Sequence, residues 1–102
     1  MEKVDTKKII LGGILLIIIV LGIFIYMNYL RTFTVTFDVR LGPGIETQQV
    51  KINDTVTKPN DPYYDGYEFL GWFVGDKEYN FDEPVKGNLN ITAKWEEIND
   101  VN

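Results

Sequence analysis

Residues 32–41 read TFTVTFDVRL, an alternation without a break. Phe33, Val35, Phe37, Val39 and Leu41 fall on one face of an extended chain, and Thr32, Thr34, Thr36, Asp38 and Arg40 on the other. A period of two, filled by β-branched and aromatic residues, predicts a strand with one face against a core. Gly42-Pro43-Gly44 interrupts it as a turn, and residues 45–52 resume a weaker strand with Val50 and Ile52 on one face. The two make a hairpin.

Downstream, Asp54–Asp65 carries Pro59 and Pro62 around Asn60-Asp61. Proline removes ladder donors and breaks helices, so this stretch reads as a crossover with room for one helical turn. Tyr67–Val74 is the next strand, with Phe69 and Phe73 facing one way and Leu70, Trp72 and Val74 the other. Apolar residues on both faces predict a central or covered strand. Gly75-Asp76 suits a two-residue hairpin turn of the Gly-first kind, followed by a strand over Lys77–Phe81 that turns Tyr79 and Phe81 inward. Asp82-Glu83-Pro84 ends that strand. Lys86-Gly87-Asn88 leads into the last one, with Leu89, Ile91, Ala93 and Trp95 in step. Residues 96–102 have no pattern and read as a flexible tail.

Upstream lies IILGGILLIIIVLGIFIYMNYL, residues 9–30, 22 positions without a charge. As a helix this reaches roughly 33 Å, enough to cross a bilayer core. A cleaved signal peptide has a shorter apolar core and small residues before its cleavage site; the exit here, Ile25-Tyr26-Met27-Asn28-Tyr29-Leu30-Arg31, has none. An uncleaved signal anchor over residues 9–30 fits better. Lys3, Lys7, Lys8 and the free amine precede it, against Arg31 and Arg40 just after it, a bias that places residues 1–8 in the cytoplasm and residues 31–95 outside. Tyr26 and Tyr29 suit an aromatic belt at the outer interface. Gly12, Gly13 and Gly22 lack a G-x-x-x-G spacing and read as glycines tolerated in a lipid-facing helix.

The soluble part has length for one small domain. It has neither Cys nor His, which removes disulfides and Cys/His metal sites as sources of stability. Aromatics, 14% of the chain, supply the burial a small core needs. Residues 31–102 carry 7 bases and 13 acids, a balance that argues against nucleic acid as a partner.

Several strings then occur together: Lys58-Pro59-Asn60-Asp61-Pro62, Gly66-Tyr67-Glu68-Phe69-Leu70-Gly71-Trp72-Phe73, Tyr79-Asn80-Phe81-Asp82-Glu83-Pro84-Val85 and Ile91-Thr92-Ala93-Lys94-Trp95. With Thr34-Val35-Thr36-Phe37-Asp38 at the start, residues 32–95 resemble the internalin-type B repeat, also called the Listeria–Bacteroides repeat. The family's usual Asn-Gly-Gly-like turn after the first strand is replaced here by Val39-Arg40-Leu41-Gly42-Pro43-Gly44. The resemblance implies a β-grasp-like mixed sheet of two hairpins joined by the Pro-containing crossover, with first and last strands parallel. The whole chain is therefore expected as a single transmembrane α-helix followed by a small α+β or mostly-β domain. The family occurs on exported bacterial proteins, often in tandem beside adhesive domains, and is not catalytic. One copy is present here.

The residues themselves point away from chemistry. Nucleophilic triads need a base that this chain lacks. Asp82-Glu83 and Glu96-Glu97 are sequence neighbours and read as solvated charge rather than a hydrolytic pair. Asp61, Asp65 and Glu68 beside Gly66 offer oxygens for calcium, but their spacing is not that of a calcium loop and turn formation explains them better. Asn53-Asp54-Thr55 and Asn90-Ile91-Thr92 match a glycosylation pattern that carries little weight in a bacterial chain. Among the aromatics, Phe69, Trp72, Phe81 and Trp95 are expected in the core. Tyr63 and Tyr64, in the Pro-rich loop, are expected exposed as a contact surface. An open sheet edge offers a second mode, strand addition.

The sequence thus predicts a non-enzymatic, single-pass protein of a bacterial cytoplasmic membrane presenting one binding module, with no cofactor. Its partners are the lipid bilayer and an unidentified protein or cell-envelope polymer. The alternative is a small structural or accessory subunit of a larger membrane complex.

Overall fold

The computed structural model describes residues 5–99. Lys3 and residues 1–4 of the expected cytoplasmic segment, and residues 100–102 of the expected tail, lie outside them. The chain divides at Arg31–Thr32 into two compact units.

The first unit is a helix, α1, over Thr6–Ile25, followed by a π-helical turn over Tyr26–Leu30. Asp5 caps α1, its carboxylate accepting the Lys7 N–H at 3.1 Å and satisfying one of the orphan donors of the first turn. At the far end the Asn28 amide donates to the Phe24 carbonyl at 2.8 Å, covering backbone that the wider turn leaves open. None of the α1 residues is buried within the chain. Thr6–Leu30 is long and apolar enough to cross a membrane. A Cβ at Gly12, Gly13 or Gly22 would meet nothing within 4 Å, so these glycines serve no close approach inside this chain.

The second unit is one open, mixed sheet. Its strands are β1 (Thr32–Asp38), β2 (Gln48–Lys51), β3 (Tyr67–Val74), β4 (Lys77–Glu78) and β5 (Leu89–Glu97), in the spatial order β2-β1-β5-β3-β4. The pairs β1/β2 and β3/β4 are antiparallel hairpins, and β5 runs parallel to β1 and antiparallel to β3. Parallel pairing starts at Val35 with Leu89; one residue earlier, the Thr34 N–H is taken by the Asn88 side chain at 2.9 Å, which extends the ladder. The alternation read in residues 32–39 places Phe33, Val35, Phe37 and Val39 in the core with Val50, Val56, Trp72, Val85, Ile91 and Ala93.

Among the described residues of this unit there is no helix, so the single turn allowed for in the crossover is absent. Extended segments cover the sheet instead, pinned by their own hydrogen bonds. The Gln48 amide pairs in both directions with the Thr57 backbone, at 2.7 and 3.0 Å. Val85 is held twice, accepting from Asn53 and donating to Asp54 at 2.8 Å each, which fixes its side chain in the core at 1% exposure. These bonds let coil do the covering that a helix does elsewhere, because they pair backbone groups of Asn53, Asp54, Thr57 and Val85 outside any ladder.

Four strands differ in extent from expectation. β1 stops at Asp38 because Arg40 takes φ +68° and the Leu41 N–H folds back onto the Val39 carbonyl at 2.8 Å, a γ-type turn. The first hairpin therefore closes through a long loop, with Gly42 at φ +80°, and β2 is only four residues. The β4 strand is two residues; the Tyr79 N–H still donates to the Trp72 carbonyl at 2.9 Å, and beyond it Tyr79 and Phe81 pack edge-to-face at 4.9 Å. Conversely, β5 runs beyond Trp95: Glu96 and Glu97 pair with Glu68 and Tyr67, and the Ile98 N–H donates to Gly66.

The face assignment of β3 also changes. A bulge between Phe69 and Gly71 absorbs one residue, so Phe69 and Trp72 share the core face and their rings meet edge-on at 5.3 Å. Phe73 lies instead under the Lys94 ammonium, 4.3 Å from its ring centroid. Leu70 and Val74 are exposed, so within the domain β3 is covered on one face only.

Candidate contact surface

Tyr63 and Tyr64 sit in the segment that enters β3, and both are exposed, at 78% and 40%. A turn follows them directly: the Tyr67 N–H donates to the Tyr64 carbonyl at 3.1 Å, with Gly66 at its third position at φ +85°, the type II arrangement. Tyr64 leans against Tyr67, ring centroids 5.7 Å apart. On its other side Tyr64 approaches Gly42, where an added Cβ would lie 3.4 Å from the Tyr64 ring. The Gly-Pro-Gly segment that departs from the family pattern is thus a wall beside Tyr64. Tyr63 reaches the Asp65 carboxylate with its hydroxyl, at 3.5 Å.

The register places this cluster within the domain. Thr32 starts β1 at one end of the sheet, Asp38 lies level with Thr92, and Tyr67 pairs with Glu97 at the other end. The tyrosines are therefore about ten strand residues, roughly 30 Å, from the point where the chain enters the sheet. That end is tied together by Trp95, whose indole N–H donates to the Val39 carbonyl at 2.8 Å. Sequence reasoning missed this bond and that of Asn88, since each joins residues whose proximity depends on strand order, and missed the Gln48 pair, which depends on the path of the coil after β2.

The aromatics expected in the core are there. Trp72 is buried, and Phe69, Phe81 and Trp95 are half-buried against it. Burial pushes the Tyr79 phenol above its ordinary pKa, and the Glu83 carboxylate adds to the shift. Asp61, Asp65 and Glu68 do not converge: among the described residues no group of three or more His, Cys, Asp or Glu is placed to hold a metal ion. Asp65 is instead part of the turn before β3.

Comparison with known proteins adds two findings. Residues 33–94 match the family model of the Listeria–Bacteroides repeat domain. A protein of Evansella cellulosilytica, described only as a membrane protein, is 24% identical over 70 residues, covering 65% of this chain and 10% of the relative. The chain thus spans about a tenth of that protein's length.

Proposed function

Because the chain belongs to the Listeria–Bacteroides repeat family, we propose that its domain is a β-grasp-like binding module held outside a bacterial cytoplasmic membrane by α1, with Tyr63 and Tyr64 as its contact surface. It is a single-pass, membrane-associated, non-enzymatic protein bearing one such repeat. The finer reading adds direction and partner: residues 1–8 inside, the domain outside, and a protein or envelope polymer bound at the tyrosine end.

The observation that carries it is the position of the tyrosines. They are exposed aromatics at the end of the sheet opposite to chain entry, and Tyr64 is held by a type II turn and the Gly42 wall. Exposed Tyr side chains, with two χ angles each, give contact area at low entropic cost, which is why they recur in binding surfaces. A parallel β1/β5 pair at the centre of the sheet, with hairpins to either side, supports the β-grasp-like description.

A photo-crosslinking residue placed at Tyr63 in intact cells tests the reading. The expected result is an envelope-component adduct from position 63 that a Tyr64→Ser change diminishes. Adducts formed from positions on α1 alone would favour the accessory-subunit role, in which the exposed helix docks into a complex.

A further inference from the structure

The flank of the sheet between β3, β4 and the crossover holds a cavity of about 190 Å³ whose lining includes neither Tyr63 nor Tyr64. Half-buried Phe69, Tyr79 and Phe81 back the cavity, and exposed Lys58, Asp61 and Glu78 give it a mainly polar lining. Tyr79 and Phe81 are locked edge-to-face, and Lys58 holds its ammonium 5.7 Å from the Phe81 ring centroid. Trp72 also lines the cavity and carries a buried indole N–H with no hydrogen-bond partner.

The bulge in β3 opens this space. Gly71 takes φ +137°, and a Cβ there would stand 3.3 Å from a Glu78 carboxylate oxygen, so the glycine leaves that carboxylate its place on the rim. Without the bulge, Phe69 and Trp72 would face opposite sides and the ring pair that backs the cavity would not form.

We propose that this cavity is a saccharide subsite that receives one uncharged pyranose ring. Its size admits a single ring rather than a drug-sized ligand. Two carboxylates against one ammonium disfavour phosphorylated or carboxylated ligands, while both signs serve a ring whose hydroxyls donate and accept. The mainly polar lining suits a ring whose rim is hydroxyl groups, and the aromatic edges behind it limit its depth. An extended peptide would need a long free strand to pair with, and β4 beside the cavity has two residues. The inference rests on the domain being a binding module but names a surface separate from Tyr63 and Tyr64.

The test uses the full chain in lipid nanodiscs free of glycoside detergent, with ¹⁵N-labelled tryptophan. The sequence has two Trp residues, so the indole N–H signals report separately on Trp72 at the cavity and Trp95 on Val39. Cellotetraose, maltotetraose and tetra-N-acetylchitotetraose are titrated, with inorganic phosphate as the anionic control. At least one tetrasaccharide should move the Trp72 signal saturably and leave Trp95 in place. Asp61→Asn and Glu78→Gln, both on exposed side chains, should each weaken that binding about tenfold, the loss of one charge-assisted hydrogen bond. Tyr63→Ala should leave it unchanged. No response to any tetrasaccharide, an equal response to phosphate, or binding indifferent to both carboxamide changes overturns the proposal. A response confined to Trp95 and lost in Tyr63→Ala overturns it while upholding the tyrosine surface.

Discussion

The Val39 carbonyl accepts two hydrogen bonds, from the Leu41 N–H and from the Trp95 indole, both at 2.8 Å. The second ties the end of the first hairpin to the last strand, so Trp95 is more than core filling. Trp95→Phe keeps most of the ring and removes the donor. It should cost about 1 kcal/mol, read as a lowered urea midpoint in Trp72 fluorescence. Tyr79 gives a second test at this scale. Its neutral form is favoured in the folded state by burial and by Glu83. Its stabilising contribution is then complete below pH 10 and is lost as pH rises through the raised folded value. Tyr79→Phe should therefore be less sensitive than the natural chain to unfolding above pH 10, with no such difference at pH 7. Alkaline melts of the two proteins side by side measure it. Neither feature was legible in the sequence beyond an aromatic in step with its strand, because the Trp95 partner lies far along the chain and the burial of Tyr79 is set by tertiary packing.

Among the elements, β3 shows best where periodicity stops being sufficient. Tyr67–Val74 was readable as a strand, but alternation alone sends Phe69 and Trp72 to opposite faces. The bulge brings them to one face, and Gly71 is the residue that permits it at φ +137°. Gly71→Ala meets backbone strain and the Glu78 carboxylate together. It should destabilise the domain by about 1–3 kcal/mol, seen as a lower melting temperature. β1 shows the opposite case: four alternating apolar residues found the core as read, with only the strand's end misplaced by the Arg40 turn. Tyr63 and Tyr64 were recognisable as exposed from their Pro-rich setting. The Gly42 wall beside them was not, since it lies across the sheet in a loop whose path no local pattern specifies.

At the scale of the whole molecule, an apolar helix and an acidic repeat domain adjoin at Arg31–Thr32. Protease added outside intact cells should cut the domain while sparing residues 1–8, as the proposed orientation requires. Protection of the segment around Trp72 would reverse that assignment. The cutting pattern reads directly the orientation that the lysine and arginine bias sets.

By itself the sequence determined the membrane-length helix, the strand-rich domain, the family and the aromatic core. Each is written in a property that short stretches carry on their own: unbroken apolarity, a period of two, proline and glycine punctuation, and ordered motifs. The tertiary structure decided which strands are neighbours, how far each one runs, which side Trp72 and Phe69 face, and that coil covers the sheet in place of helix. Those outcomes turn on hydrogen bonds such as Trp95 to Val39 and Asn88 to Thr34, whose partners stand 56 and 54 residues apart. Such bonds form only once β5 lies parallel to β1, and no local pattern encodes that arrangement.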